Sequence, residues 1–219
     1  MTLRSALSAH FRSQRAALLR RVINTISGRR DSVTILDLGG RIPYWEQIGV
    51  GWLRSVNAKV TLLNIQASEF YGDSHGIFQS AIGDACKLHY DAGQFDLVHS
   101  NSVIEHVETW RNMKAFASET RRVGRSYYVQ TPYFWFPIDP HFYAFPMFHW
   151  FPRQIRAKLL RSLPLAYAGR MSGVDKSFQA VDDSCLLDAS QMKFLFPEAA
   201  IHFERFAGLR KSVIAISCH

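Results

Sequence analysis

The chain has 219 residues, of which 47% are hydrophobic and 20% charged; that composition excludes a disordered chain and fits one elaborated α/β domain better than two. Its formal charge is +8, yet the excess is local: Arg4, Arg12, Arg15, Arg20, Arg21, Arg29 and Arg30 fall in residues 1–30 with no acid among them, and the rest of the chain is close to neutral. Three scattered cysteines, Cys86, Cys185 and Cys218, exclude a disulfide framework, and no apolar run is long enough to span a bilayer or serve as a signal-peptide core, so a cytoplasmic protein is expected.

Residues 3–26 read as a helix, with Leu3, Leu7, Phe11, Leu18 and Val22 at helical spacing and Gly28 as its stop. This basic N-terminal segment, residues 1–30, is set apart from a single domain over residues 31–219. An anionic partner, such as a membrane surface met peripherally, would engage it; the alternative is a helix packed across the edge of the domain. Five strand-like runs follow, VTILDL (33–38), VTLLNI (60–65), a short one near Ser80–Gly83, FDLVHS (95–100) and SYYVQT (126–131). Helical stretches around 44–56, 68–79 and 108–122 alternate with them. Apolar strands separated by helices predict a parallel sheet covered on both faces. At the end, AAIHFERFA (199–207) and KSVIAIS (211–217) are both extended and joined only around Gly208, too short a link for a crossover, so they form an antiparallel hairpin. The fold class is therefore α/β, a Rossmann-like doubly wound sheet, mostly parallel with a C-terminal antiparallel hairpin. Between the fifth strand and the last helix, residues 132–180 carry six prolines and dense aromatics; this reads as an inserted cap.

Four places carry candidate chemistry. Asp37-Leu38-Gly39-Gly40 ends the first strand, where ligands of doubly wound sheets bind; an acid there suits a cationic ligand group, and the G-x-G-x-x-G spacing of dinucleotide sites is missing. A purely structural turn is the alternative. Asn64, ending the second strand, can hydrogen-bond a ribose or simply end the strand. Asp84 with Ala85 can meet an exocyclic amine, or Asp84 can cap a helix. The segment Ser100-Asn101-Ser102-Val103-Ile104-Glu105-His106 puts short polar side chains at the sheet edge, with His106 as a general base or as a packing residue. In the cap, Tyr133, Trp135, Phe136, Phe142, Tyr143, Phe148 and Trp150 either line an apolar pocket, rest at a membrane surface or pack the cap down. Asp139 and His141 can act there as orienter and base. His141 and His149 stand apart from Cys or acid partners, so no metal is expected.

Taken together, ILDLGG, TLLN, IGDA and FDLVHSNSVIEHV, with the closing stretch LLDASQMKFLFPEAAIHFERFAGLRKSVIAI, resemble class I S-adenosylmethionine-dependent methyltransferases, notably bacterial proteins with the methyltransferase type 11 domain. The resemblance covers about residues 33–131 and 184–217. It implies S-adenosylmethionine as cofactor, with Asp37, Gly39 and Gly40 at its methionine part, Asn64 at the ribose, Asp84 and Ala85 at the adenine, and Ser100 and Asn101 near the sulfonium. His106, His141 and Tyr133 are the side chains expected at the chemistry. The expected activity is methyl transfer to a small acceptor, of apolar or lipid-like character by the cap; nucleic acid is disfavoured by the neutral core. Two other readings stand beside it: a methyltransferase-fold binding module without catalysis, suggested by Asn64 in place of an acid and Arg41-Ile42-Pro43 in place of further glycine, and a nicotinamide-dependent oxidoreductase, opposed by the missing glycine spacing.

Overall fold

The computed structural model of the chain describes residues 3–66, 75–142, 145–165 and 169–218. The first apolar run forms β1 (Val33–Leu38), which pairs in parallel with β2 (Ala58–Asn64) and with β4 (Phe95–Asn101), while β2 pairs in parallel with β3 (Phe78–Ile82). With β5 (Gly124–Pro132), β6 (Ala200–Phe206) and β7 (Leu209–Ser217) the sheet has seven strands in the order β3-β2-β1-β4-β5-β7-β6. The chain builds outward from β1 to β3 and then returns to place β4 on the other side of β1. The strand order therefore reverses between β1 and β4, and their carboxyl ends form a switch point. β6 and β7 are joined by Ala207 and Gly208 alone, at φ 48° and 82°. Two consecutive positive φ values are what a type I′ hairpin turn requires, and a two-residue link allows only antiparallel neighbours. The expected α/β sheet with its terminal hairpin is thus the observed one.

The helices depart from expectation at one place, and at another they take one of two placements that were open. Residues 44–56 do not make one helix but two, α2 (Ile42–Ile48) and α3 (Val50–Ser55), broken at Gly49 with φ 116°. A side chain at Gly49 would put Cβ 2.6 Å from the Arg20 guanidinium. Arg20 uses that space to donate from Nε to the Ile48 carbonyl at 2.9 Å, satisfying an end group of α2. The helix α1 (Leu3–Ser27) buries Leu19, Val22, Ile23 and Ile26, which is the packed placement of the two open to it. Of its arginines, Arg15 and Arg20 are spent on internal hydrogen bonds, and Arg30, just beyond it, pairs with Asp96. The weak helix expected over 68–79 falls largely on residues 67–74, outside the described residues, and Phe78 and Gln79 begin β3 instead.

The chain divides into two compact units, one of residues 1–101, 117–129 and 216–219, the other of 102–116 and 130–215. In the first, Trp45, Leu53, Ile35, Leu36 and Leu38 are fully buried. The second holds the end of α4 that begins it (α4 is Trp110–Val123) and the insertion, which folds as α5 (Arg153–Ser162) and α6 (Val174–Asp182). The insertion has its own core of Phe142, Phe148, Ala157, Leu160, Leu165 and Val181, so much of its aromatic content is structural. Tyr143 lies outside the described residues. α7 (Ala189–Leu195) follows, started by a reciprocal capping box between Asp188 and Gln191.

Candidate functional site

In the first unit the switch point is built around one buried carboxylate. Asp37 is 2% exposed. It accepts from Trp45 Nε1 through Oδ2 at 2.6 Å and lies 2.6 Å from His99 Nδ1 through Oδ1. His99 Nε2 lies 3.2 Å from the Tyr44 hydroxyl. The set is self-consistent when Nδ1–H donates to Asp37 and Nε2 accepts from Tyr44. Tyr44 and Trp45 both come from α2, which starts at once after the glycine pair. Pro43 sits in its first turn, where a missing N–H costs nothing. The chain turns at Gly39 (φ 70°), and Gly40 rests directly on the Asp37 carboxylate.

The side chains expected at the cofactor divide into two groups. Asp37 and Asn64 face inward: Asn64, 4% exposed, donates its amide to the Gly40 carbonyl at 2.9 Å. Both hold the loop rather than present themselves at the surface. Of the others, Ser100 is buried as well, whereas Asn101, Asp84 and Ala85 are at least partly exposed. Ser100 is opposite Leu38 in the β1–β4 register and has a buried hydroxyl without a hydrogen-bond partner among the described residues. Asn101 accepts from Arg15 Nη1 at 3.2 Å. Asp84 is exposed and accepts the Cys86 N–H at 2.8 Å, an Asx turn instead of a helix cap, with Ala85 half-buried inside that turn. Two large apolar side chains, Ile65 and Ile82, stand exposed just past β2 and at the end of β3. A cleft of about 510 Å³ opens between α1 and α2, lined by Ala16, Ala17, Arg20, Tyr44 and Gln47; its size is in the range of small-molecule sites. Trp45 and His99 were missed by sequence reasoning. Nothing in the sequence pairs an aspartate with a histidine 62 positions later.

The second unit gathers another polar cluster. Glu105, in the 3-10 turn Ile104–His106, is fully buried. Its Oε2 accepts from Thr131 Oγ1 at 2.9 Å, while Oε1 has no hydrogen-bond partner among the described residues. His106, exposed, has Nδ1 2.6 Å from the Asp183 carbonyl. His141 has Nδ1 2.7 Å from Asp139 Oδ1 and 3.0 Å from Ser184 Oγ. The two imidazoles meet, Nε2 to Nε2, at 3.2 Å. Burial opposes charge on His141, but its hydrogen bond to Asp139 and the carboxylates of Asp139 and Glu105 outweigh this and raise its pKa above the ordinary value. Burial likewise pushes the Glu105 carboxyl above its usual range. Of the expected catalytic side chains, His106 and His141 are thus brought together. Tyr133 is committed elsewhere, its ring against Phe203 and its N–H donated to the Lys211 carbonyl. His149 also has a structural role, with Nε2 at 2.7 Å from the Phe134 carbonyl.

A sheet reversing between β1 and β4, closed by a β6–β7 hairpin and opened at a glycine turn, defines a doubly wound α/β protein with a site at its switch point. Residues 47–126 match the family model described as a methyltransferase domain. None of the curated proteins matches the chain. Among solved structures, the chain is similar to a SAM-dependent methyltransferase from Methanosarcina mazei, at 13% identity and TM-score 0.50, covering 86% of this chain and 94% of that one. It is also similar to the PH0226 protein from Pyrococcus horikoshii OT3, at 13% identity and TM-score 0.52, covering 84% and 81%. The chain shares the fold of these structures, that of class I S-adenosylmethionine-dependent methyltransferases, and the methyltransferase-domain match lies within it at residues 47–126. Among the described residues no helix is long and apolar enough to cross a membrane.

Proposed function

We propose that this protein transfers a methyl group from S-adenosylmethionine to a small, apolar or lipid-like acceptor. The observation that carries the reading is the switch point with its glycine turn, together with the methyltransferase-domain match that takes in β2, β3, β4 and α4 downstream of it. The residues there fit the cofactor. Gly39 and Gly40 let the backbone approach its methionine end, Ser100 has a buried hydroxyl in need of a partner, and Asn101 stands next to it. Ile65, Ile82 and Ala85 offer apolar surface to an adenine, with Asp84 as acceptor for its amine. Asp37 and Asn64 act at one remove, by fixing the loop. When bound, S-adenosylmethionine supplies an electrophilic methyl group, so the chain has mainly to align the acceptor and exclude water.

Within the second unit, His141, oriented by Asp139, is a side chain equipped to take up a proton. The apolar character of the acceptor is supported by Trp135, Met147, Trp150 and Phe151, which remain exposed on the insertion beside its packed core. The same side chains support peripheral contact of the insertion with a membrane surface. A second reading, a binding module without catalysis, is favoured by the full engagement of Asp37 within the fold.

Calorimetry with S-adenosylmethionine, S-adenosylhomocysteine and NADH tests the reading. Saturable binding of both sulfur nucleotides is expected, weakened in Ser100→Ala and Asp84→Ala. Binding of NADH alone, or of no nucleotide, refutes it; the latter result leaves the binding module.

A further inference from the structure

We propose that Glu105, His106 and His141 form a binding site for a divalent first-row transition metal. This inference does not depend on the methyl-transfer reading; it concerns a cluster within the second unit alone, and its readout is metal binding. A carboxylate oxygen of Glu105 and one nitrogen of each histidine lie within 4.8 Å of one another. Both histidines are already oriented from behind. His106 Nδ1 is 2.6 Å from the Asp183 carbonyl and His141 Nδ1 is 2.7 Å from the Asp139 carboxylate. Neither a carbonyl nor an ionised carboxylate donates, so in the neutral rings each Nδ1 is the N–H donor and each Nε2 keeps its lone pair. The two lone pairs then face each other at 3.2 Å. Two neutral imidazoles so placed repel unless a cation lies between them.

A metal satisfies this geometry. Metal–nitrogen bonds of about 2.0–2.1 Å at a tetrahedral angle separate two ligand nitrogens by about 3.3 Å. Imidazoles that donate their second nitrogen to a carboxylate or a backbone carbonyl are the usual surroundings of a metal-binding histidine. The third donor is the stronger sign. Glu105 is fully buried, yet its Oε1 has no hydrogen-bond partner among the described residues, whereas Oε2 is held by Thr131. A buried carboxylate oxygen left without a partner is costly, and a bound cation relieves that cost. Two imidazoles and one carboxylate suit Zn²⁺, Mn²⁺, Fe²⁺ or Co²⁺ better than Mg²⁺ or Ca²⁺, which take oxygen ligands. His106 is exposed, so coordination positions remain open on the solvent side for water or an oxygen-bearing ligand. The sequence pointed away from this because it set His141 beside His149, whereas the fold sets it beside His106, 35 positions earlier.

The test uses the full chain stripped with a chelator. Titration with Zn²⁺ by calorimetry, and with Co²⁺ by its visible absorption, is expected to show one equivalent bound. His106→Gln and His141→Gln are each expected to weaken it at least about tenfold. Glu105→Gln is expected to do the same. Because that side chain is buried, the exposed His106 variant, checked for an unchanged far-UV spectrum, keeps the test open if the glutamine variant fails to fold. The absence of saturable binding overturns the proposal and leaves a proton shared between the imidazoles. Binding that survives in both histidine variants also overturns it.

Discussion

Gly40→Ala probes the buried carboxylate at the switch point from an unusual side. A β-carbon built on Gly40 falls 2.0 Å from Asp37 Oδ2, 2.3 Å from its Cγ and 2.7 Å from its Cβ. No small shift relieves three such contacts, so the Asp37 side chain must swing away. In doing so it abandons the Trp45 and His99 ring N–H groups, both in buried side chains. A buried donor left without its acceptor costs about 1–3 kcal/mol, so the pair implies a loss of about 2–6 kcal/mol. Against a total of about 5–15 kcal/mol for a native protein, that is a large fraction. Urea unfolding followed by tryptophan fluorescence measures it directly. The same substitution made in an Asp37→Ala background has nothing left to displace and is expected to be nearly neutral there, giving a coupling of at least about 2 kcal/mol. The reasoning is refuted if Gly40→Ala lies within about 0.5 kcal/mol of the parent, or if it costs the same in both backgrounds.

Two further outcomes follow from the packing. Glu119 accepts from Arg122 and from the Leu88 N–H, and the Arg122 hydrogen bond leads in holding its carboxyl below the usual glutamate range. A depressed folded-state value means that stability present above the ordinary glutamate pKa is lost as pH falls toward the depressed one. Glu119→Gln should therefore flatten the acid side of a plot of urea midpoint against pH, by no more than about 1 kcal/mol; an unchanged slope counts against this linkage. Phe148→Ala, which empties a fully buried position in the core of the insertion, should cost about 3–5 kcal/mol in the unfolding of that unit. A loss below about 1 kcal/mol would mean that the aromatics there are not packing residues.

Much of the sheet was legible from the sequence because its strands are continuous apolar runs punctuated by turn residues, and VTILDL maps onto β1 residue for residue. The hairpin was legible because Gly208 leaves no room for a crossover. The break of α2 from α3 was not, since Gly49 reads as an ordinary helical glycine until Arg20 of another helix fills its side-chain space. The candidate sites show the same division. Asp37, Gly39, Gly40, Ser100 and Asn101 were legible as the ends of β1 and β4, but whether a side chain faces the rim or the interior depends on partners distant in sequence, Trp45 and His99 for Asp37 and Gly40 for Asn64. His106 and His141 were singled out separately, each as a base. Their meeting depends on the path of the insertion, and the burial of Glu105 on Thr131 in β5.

The first unit is discontinuous: it takes residues 1–101 and 117–129, and then 216–219 after a long excursion. During synthesis on a ribosome, more than eighty residues of β5, insertion, α7 and hairpin must emerge before the last stretch of β7 can rejoin the strands made first. Contacts of such wide separation close slowly. An early-truncated product would leave the apolar flank of β5 uncovered, a nascent species that a cell has to shield.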